Sequence, residues 1–169
     1  DMSKIESGKT VLNIQMFDLQ ELLDKLNIMT LPLANAKGQT FTILQHNVFC
    51  KKLWGDSVRI SQVLLNLLSN AVKYTPEGGN ICLSVSMNQP FPHSRIHVIF
   101  SVEDDGIGIS RDDQVHIWER FYRVDASRTG KEEGSHSGLG LSMVKWIAQA
   151  YGGNVRVESE LGKGSCFTF

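Results

Sequence analysis

The chain lacks any apolar run long enough to span a bilayer, and no signal peptide is visible in it. It lacks an excess of charge of either sign. The formal net charge is −1 over 169 residues, and basic residues occur in small groups, never in runs. Nucleic acid and anionic membranes are therefore not expected as main partners. Cysteine is scarce: Cys50, Cys82 and Cys166 form no CxxC pair and show no metal-type spacing. Cys82 and Cys166 sit in apolar, strand-like contexts, which suggests buried free thiols in a reducing, cytoplasmic compartment. There is no internal repeat. There is no initiator Met either; the opening "DMSKIESGKT" suggests a piece of a longer protein.

What is present suits one globular domain: 41% hydrophobic and 21% charged residues, enough for a core and too few charges for disorder. Residues 1–9 look like the end of a helix that began upstream, with Gly8 as its C′ residue. "TVLNIQMFD" alternates as a strand, and residues 19–36 are helical with Asp18 as N-cap and Pro32 as a point of kinking or shift. "QTFTILQH" and "FCKKLW" read as two strands around a turn at His46–Asn47. A long helix follows Gly55-Asp56 and ends near Pro76; "NICLSVSMN" and "RIHVIFSVED" are strands joined by a hairpin loop. "RDDQVHIWERFY" is a short helix, 124–137 a mobile loop without apolar periodicity, "GLGLSMVKWIAQAYGG" a helix, and "NVRVESE" with "GSCFTF" a closing hairpin. Mixed elements with hairpin-length connections indicate an α+β fold: a mixed, mainly antiparallel sheet with helices on one face.

Four groups of residues exceed what a fold alone needs. In "QVLLNLLSNAVKYTPEGG", the stripe Val63, Leu64, Leu67, Leu68, Ala71 and Val72 is core-facing. Asn66, Asn70 and Lys73 recur on a neighbouring face of the same helix. A wet face explains polar residues, yet Asn serves it poorly, because its side chain competes for backbone hydrogen bonds. In "EDDGIGIS", a strand runs into Asp104, Gly106 and Gly108. A turn explains Asp-Gly, whereas alternate glycines indicate close backbone approach, and the carboxylate is an acceptor for a donor such as an exocyclic amine. In "SGLGLSMVK", Gly138 and Gly140 open a helix, a site for an anion on backbone N–H groups or simply a joint that needs small residues. Neither the dinucleotide fingerprint nor the P-loop pattern fits. In "WERFYRVD", Phe121 and Tyr122 offer aromatic surface between Arg120 and Arg123.

Taken in order and spacing, these groups resemble the ATP-binding domain of sensor histidine kinases, over nearly the whole chain from Val11 to Phe169. The N box is Asn66, Asn70, Lys73 and Tyr74; the first glycine box is Asp104, Gly106 and Gly108; the F box is Phe121; the second glycine box is Gly138 and Gly140; "GKGSCFTF" closes the pattern. The family's second glycine box often reads GTGLGL, and here His136 stands where its first glycine would be. The resemblance implies a two-layer Bergerat-type fold with three main helices on one sheet face, over residues 11–169. Residues 1–10 would end an upstream phosphoacceptor and dimerisation helix. It implies ATP and Mg²⁺, with Asn70 on the metal and Asn66 supporting the metal and phosphate cluster. Lys73, Arg123 and the backbone of Gly138, Leu139 and Gly140 would meet phosphates. Tyr74 would pack near the adenine, Asp104 accept from its amino group, and Gly106 and Gly108 make room for the base, with Phe121 in the binding set. Segment 124–137 would be an ATP lid, poorly ordered until nucleotide binds.

In the family's hydrolytic branches a Glu stands where this chain has Asn66, and an amide cannot act as a general base near neutral pH. The resemblance therefore implies a kinase, with catalytic roles for Asn66, Lys73 and Arg123, and slow hydrolysis. None of His46, His93, His97, His116 and His136 lies in a long helix followed by an acidic residue, so the acceptor is expected upstream of Asp1. Expected partners are the protein's own phosphoacceptor helix hairpin and a response regulator receiver domain. The fragment would be a monomer and the full protein a homodimer, either free in the cytoplasm or membrane-anchored. The alternative is a nucleotide-regulated interaction module that transfers no phosphate.

Overall fold

A computed structural model describes residues 12–89, 91–92, 94–124 and 138–169. The upstream helix end expected at 1–10, His93, His136 and all but the first residue of the expected lid lie outside the described residues. The elements are β1 (Gln15–Asp18), α1 (Leu19–Ala36), β2 (Thr40–His46), β3 (Lys52–Gly55), α2 (Ser57–Tyr74), β4 (Asn80–Asn88), β5 (His97–Asp104), α3 (Arg111–His116), α4 (Gly140–Ala150), β6 (Arg156–Glu160) and β7 (Gly164–Thr168).

The main sheet has five strands in the order β2-β4-β5-β7-β6. Only β2 and β4 pair in parallel; the other neighbours are antiparallel. In β4 the period-2 pattern turns Ile81, Leu83, Val85 and Met87 inward, and Phe100 and Val102 of β5 join them. Onto this face pack Leu19, Leu22, Leu23 and Leu26 of α1, the expected stripe of α2, and Val144 and Ile147 of α4, in one apolar cluster. The α+β architecture with three main helices on one face agrees with the expectation. Among the described residues no helix is long and apolar enough to cross a membrane.

Caps explain where the helices start. Asp18 accepts from the N–H groups of Gln20 (2.8 Å) and Glu21 (3.3 Å), and Asp56 accepts from that of Arg59 (3.0 Å). Buried Asp56 also receives the Asn13 N–H at 2.9 Å, which ties the entering chain to the start of α2.

Helix α1 runs through the exposed Pro32 to Ala36. Three local expectations are corrected. β2 and β3 are not hairpin partners: β2 joins β4, while β3 pairs with β1 in a separate two-stranded sheet. Local alternation predicted both strands, but pairing is a non-local choice. The helix expected through Tyr122 stops at His116, and Phe121 has a positive φ of 63°. The cysteines are free, as expected, but half-buried. Cys82 and Cys166 flank Glu103 on the polar side of the sheet, not in the core.

Candidate functional site

The N-box face of α2 differs from a solvated face. Asn66, Asn70 and Lys73 are all half-buried beside the fully buried apolar stripe. Asn66 Nδ2 is buried with no hydrogen-bond partner among the described residues. A buried amide donor without a partner is costly, so this group awaits an acceptor. Gly140, at the start of α4, lies against the same amide: a Cβ there would stand 3.3 Å from Asn66 Oδ1. Lys73 Nζ has no carboxylate partner among the described residues and rests 5.0 Å from the centroid of the Tyr74 ring, which is 40% exposed.

Asp104 ends β5 at the bottom of the site, 9% exposed. Its carboxylate accepts from the Gly106 N–H at 3.0 Å, and the backbone of Ser165, its register partner on β7, also favours the ionised form. Burial nevertheless pushes its pKa above the ordinary value of 3.8, and the nearby carboxylates of Asp105 and Glu103 push the same way. The loop beyond it is held against α2: Ile107 N–H donates to Tyr74 O at 3.2 Å. A Cβ on Gly106 would meet Tyr74 O at 2.6 Å, and one on Gly108 would meet Glu160 O at 2.0 Å. The close approach that the glycines permit is therefore, first, approach by the chain's own backbone.

On the far side, Phe121 N–H donates to Gly138 O at 3.0 Å, joining the F box to the second glycine box. Leu139 occupies the N-cap position of α4 without a side-chain cap, so among the described residues no side chain caps the first N–H groups of that helix. Phe121 (69% exposed) and Arg123 lie on the surface. The structure thus brings Asn66 to Gly140, Tyr74 to the Asp104 loop, and Phe121 to Gly138. It brings neither Asn70 nor Arg123 into a hydrogen bond or ion pair among the described residues. Two cavities lie elsewhere, one of ≈ 540 Å³ between α3 and β6, to which Trp118 of the fourth motif contributes, and one of ≈ 170 Å³ between β1, α1 and α2; neither is lined by Asn66, Asn70, Lys73, Asp104, Phe121 or Gly140.

Residues 55–169 match the family described as histidine kinase-, DNA gyrase B-, and HSP90-like ATPase. The chain belongs to this family. Its ATP-binding domain is of the histidine kinase type. The chain is 44% identical over 114 residues to the sensor histidine kinase WalK of Bacillus subtilis (68% of this chain, 18% of that protein). It superposes on full-length ShkA in complex with AMPPNP with a TM-score of 0.78, at 32% identity, over 95% of this chain and 31% of that one. It superposes on the isolated catalytic domain of the histidine kinase ThkA with a TM-score of 0.74, at 26% identity, over 93% of both chains. The chain spans about a fifth of the length of curated relatives such as WalK (18%) and CikA (21%).

Two residues that the fold places beside Asp104 escaped sequence reasoning. Gly164, with φ 111°, would place a Cβ 1.9 Å from Asp104 O, and Ser165 follows it beside the Asp104 carboxylate. The closing "GKGSCFTF" is recognisable in sequence, but only strand pairing puts it against Asp104.

Proposed function

We propose that this domain binds Mg-ATP between α2, the Asp104 loop and the start of α4, and passes the γ-phosphate to a histidine on a helical domain outside this chain. The observation that carries the reading is Asn66. Its amide, with a buried and unpartnered Nδ2, stands beside Gly140 at the end of the site where helix N–H groups collect. An amide there can orient a phosphate but cannot take a proton from water, which favours transfer to an incoming nucleophile over hydrolysis. Phosphoryl transfer needs mainly positioning and charge stabilisation, and an imidazole brings its own nucleophilic nitrogen.

The residues present fit both groups. For adenine, Asp104 is a buried acceptor beside a loop held by its own backbone. For the phosphates, Lys73, the Asn66 amide, Arg123 and the N–H groups of Gly138, Leu139 and Gly140 supply donors and positive charge. Tyr74 and Phe121 offer exposed rings at the two sides. For the metal, Asn70 contributes one amide oxygen. Among the described residues there is no group of three or more His, Cys, Asp and Glu that could cage an ion. That suits Mg²⁺, which keeps waters and phosphate oxygens as most of its ligands. When bound, Mg²⁺ would neutralise phosphate charge; Asn66, Lys73 and Arg123 orient the chain's end of the transfer.

WalK, named a sensor histidine kinase, supports the acceptor class, and the AMPPNP complex of ShkA supports the nucleotide. A receiver domain of a response regulator would then take the phosphate from the histidine. The test is incubation with γ-labelled ATP, with and without a separate phosphoacceptor domain. The expected result is acid-labile label on that domain only, and slow release of phosphate by the chain alone. Tight nucleotide binding with no transfer to any acceptor would instead identify an interaction module.

A further inference from the structure

A helix leaves its last carbonyls without intrahelical donors. At the end of α2, Ala71 O takes the Thr75 N–H at 3.0 Å, and Tyr74 O takes that of Ile107 at 3.2 Å. The remaining acceptors go to the turn between α1 and β2. Lys37 Nζ donates to Val72 O (2.6 Å), Lys73 O (3.0 Å) and Thr75 O (3.2 Å), which uses all three ammonium hydrogens. Gln39 Nε2 donates to Val72 O (3.0 Å) and Thr75 O (2.6 Å) from a position only 4% exposed. The same turn is tied to the chain after α2 by Gly78 N–H to Gly38 O (3.0 Å) and Thr40 N–H to Gly79 O (2.9 Å). No side chain of α2 itself caps this end; a cation from another element does so, at the pole where positive charge is favoured.

We propose that Lys37 is a positioning residue of the nucleotide site. It clamps the backbone of the final turn of α2, and so fixes where Lys73 and Tyr74 stand relative to the Asp104 loop, without touching the nucleotide. Gln39 supports the clamp from the buried side. The proposal rests on the nucleotide-binding reading above. A cap that served stability alone would leave affinity unchanged at temperatures where the chain is fully folded. A positioning residue lowers affinity there, and does so through the residues it positions.

The test is a double-mutant cycle read as the Kd of Mg-ATP by calorimetry, at a temperature where thermal scans show each variant folded. Lys37→Met is expected to weaken binding about tenfold, and Lys37→Gln, which keeps two donor hydrogens, by less. In a background that carries both Lys73→Met and Tyr74→Ala, the Lys37→Met change is expected to cost under twofold. Unchanged Kd in Lys37→Met, or the same fold loss in both backgrounds, overturns the proposal while the nucleotide-binding reading stands. If Lys37→Met fails to fold, the Lys37→Gln series decides by the same comparison. Failure of the unsubstituted chain to bind Mg-ATP overturns the parent reading and this one together.

Discussion

Asn66 on α2 and Gly140 on α4 meet face to face: a Cβ on residue 140 would lie 3.3 Å from Asn66 Oδ1 and 3.6 Å from its Cγ, so the amide would have to give way by a few tenths of an ångström. Gly140→Ala should therefore separate stability from function. Alanine is a better helix former than glycine by up to about 1 kcal/mol, so the melting temperature should hold or rise. Nucleotide affinity should fall severalfold as Asn66 is displaced. In an Asn66→Ala background the crowding is gone, and Gly140→Ala should cost no further affinity. A uniform loss in both backgrounds would show that the two residues do not act together.

Asp104 carries a burial cost with a definite sign. Its folded-state pKa is raised above 3.8, so the folded chain holds the proton more tightly than the unfolded chain. That contribution favours folding below the unfolded pKa and is lost as pH rises through the folded pKa. At neutral pH the ionised carboxylate therefore weakens the nucleotide-free fold. Asp104→Asn should leave stability at pH 7 equal or higher, with the difference shrinking toward acid pH. ATP affinity should drop about tenfold, since a hydrogen bond to a charged acceptor contributes about 1.5–3 kcal/mol. Denaturation at several pH values and calorimetry read the two effects. A variant that binds ATP normally removes Asp104 from adenine recognition.

Two glycines with positive φ predict different costs. Gly78 (φ 79°) has nothing within 4 Å of a would-be Cβ, so Gly78→Ala should cost only the left-handed conformation, about 1 kcal/mol. Gly164 (φ 111°) would drive its Cβ to 1.9 Å from Asp104 O, and Gly164→Ala should cost roughly 3–5 kcal/mol from strain and overpacking together. Urea unfolding of both variants is sufficient. Equal losses would mean that backbone conformation, not the approach to Asp104, decides.

Asn70→Ala should weaken ATP binding more in the presence of Mg²⁺ than in its absence, because the amide oxygen is offered to the metal. Titrations with and without Mg²⁺ that fall by the same factor would assign Asn70 a different role.

What the sequence determined by itself was local. The 3.6-residue stripe of α2, the strands β4 and β5 and the cap Asp18 follow from side-chain periodicity and short-range hydrogen bonding, and all are found. The order and spacing of Asn66, Asn70, Asp104, Gly106, Gly138 and Gly140 likewise named the family without coordinates. Only the tertiary structure decided which strands pair. β2 could have hairpinned with β3 on local grounds, but it lies parallel to β4, where Phe41 joins the core. Only the fold ended α3 at His116 and turned Phe121 to a positive φ, so that its N–H reaches Gly138. The clamp of Lys37 on the end of α2 and the approach of Gly164 to Asp104 join residues remote in sequence. No periodicity encodes such contacts: they arise when elements pack and each orphan carbonyl takes whichever donor the packing brings near.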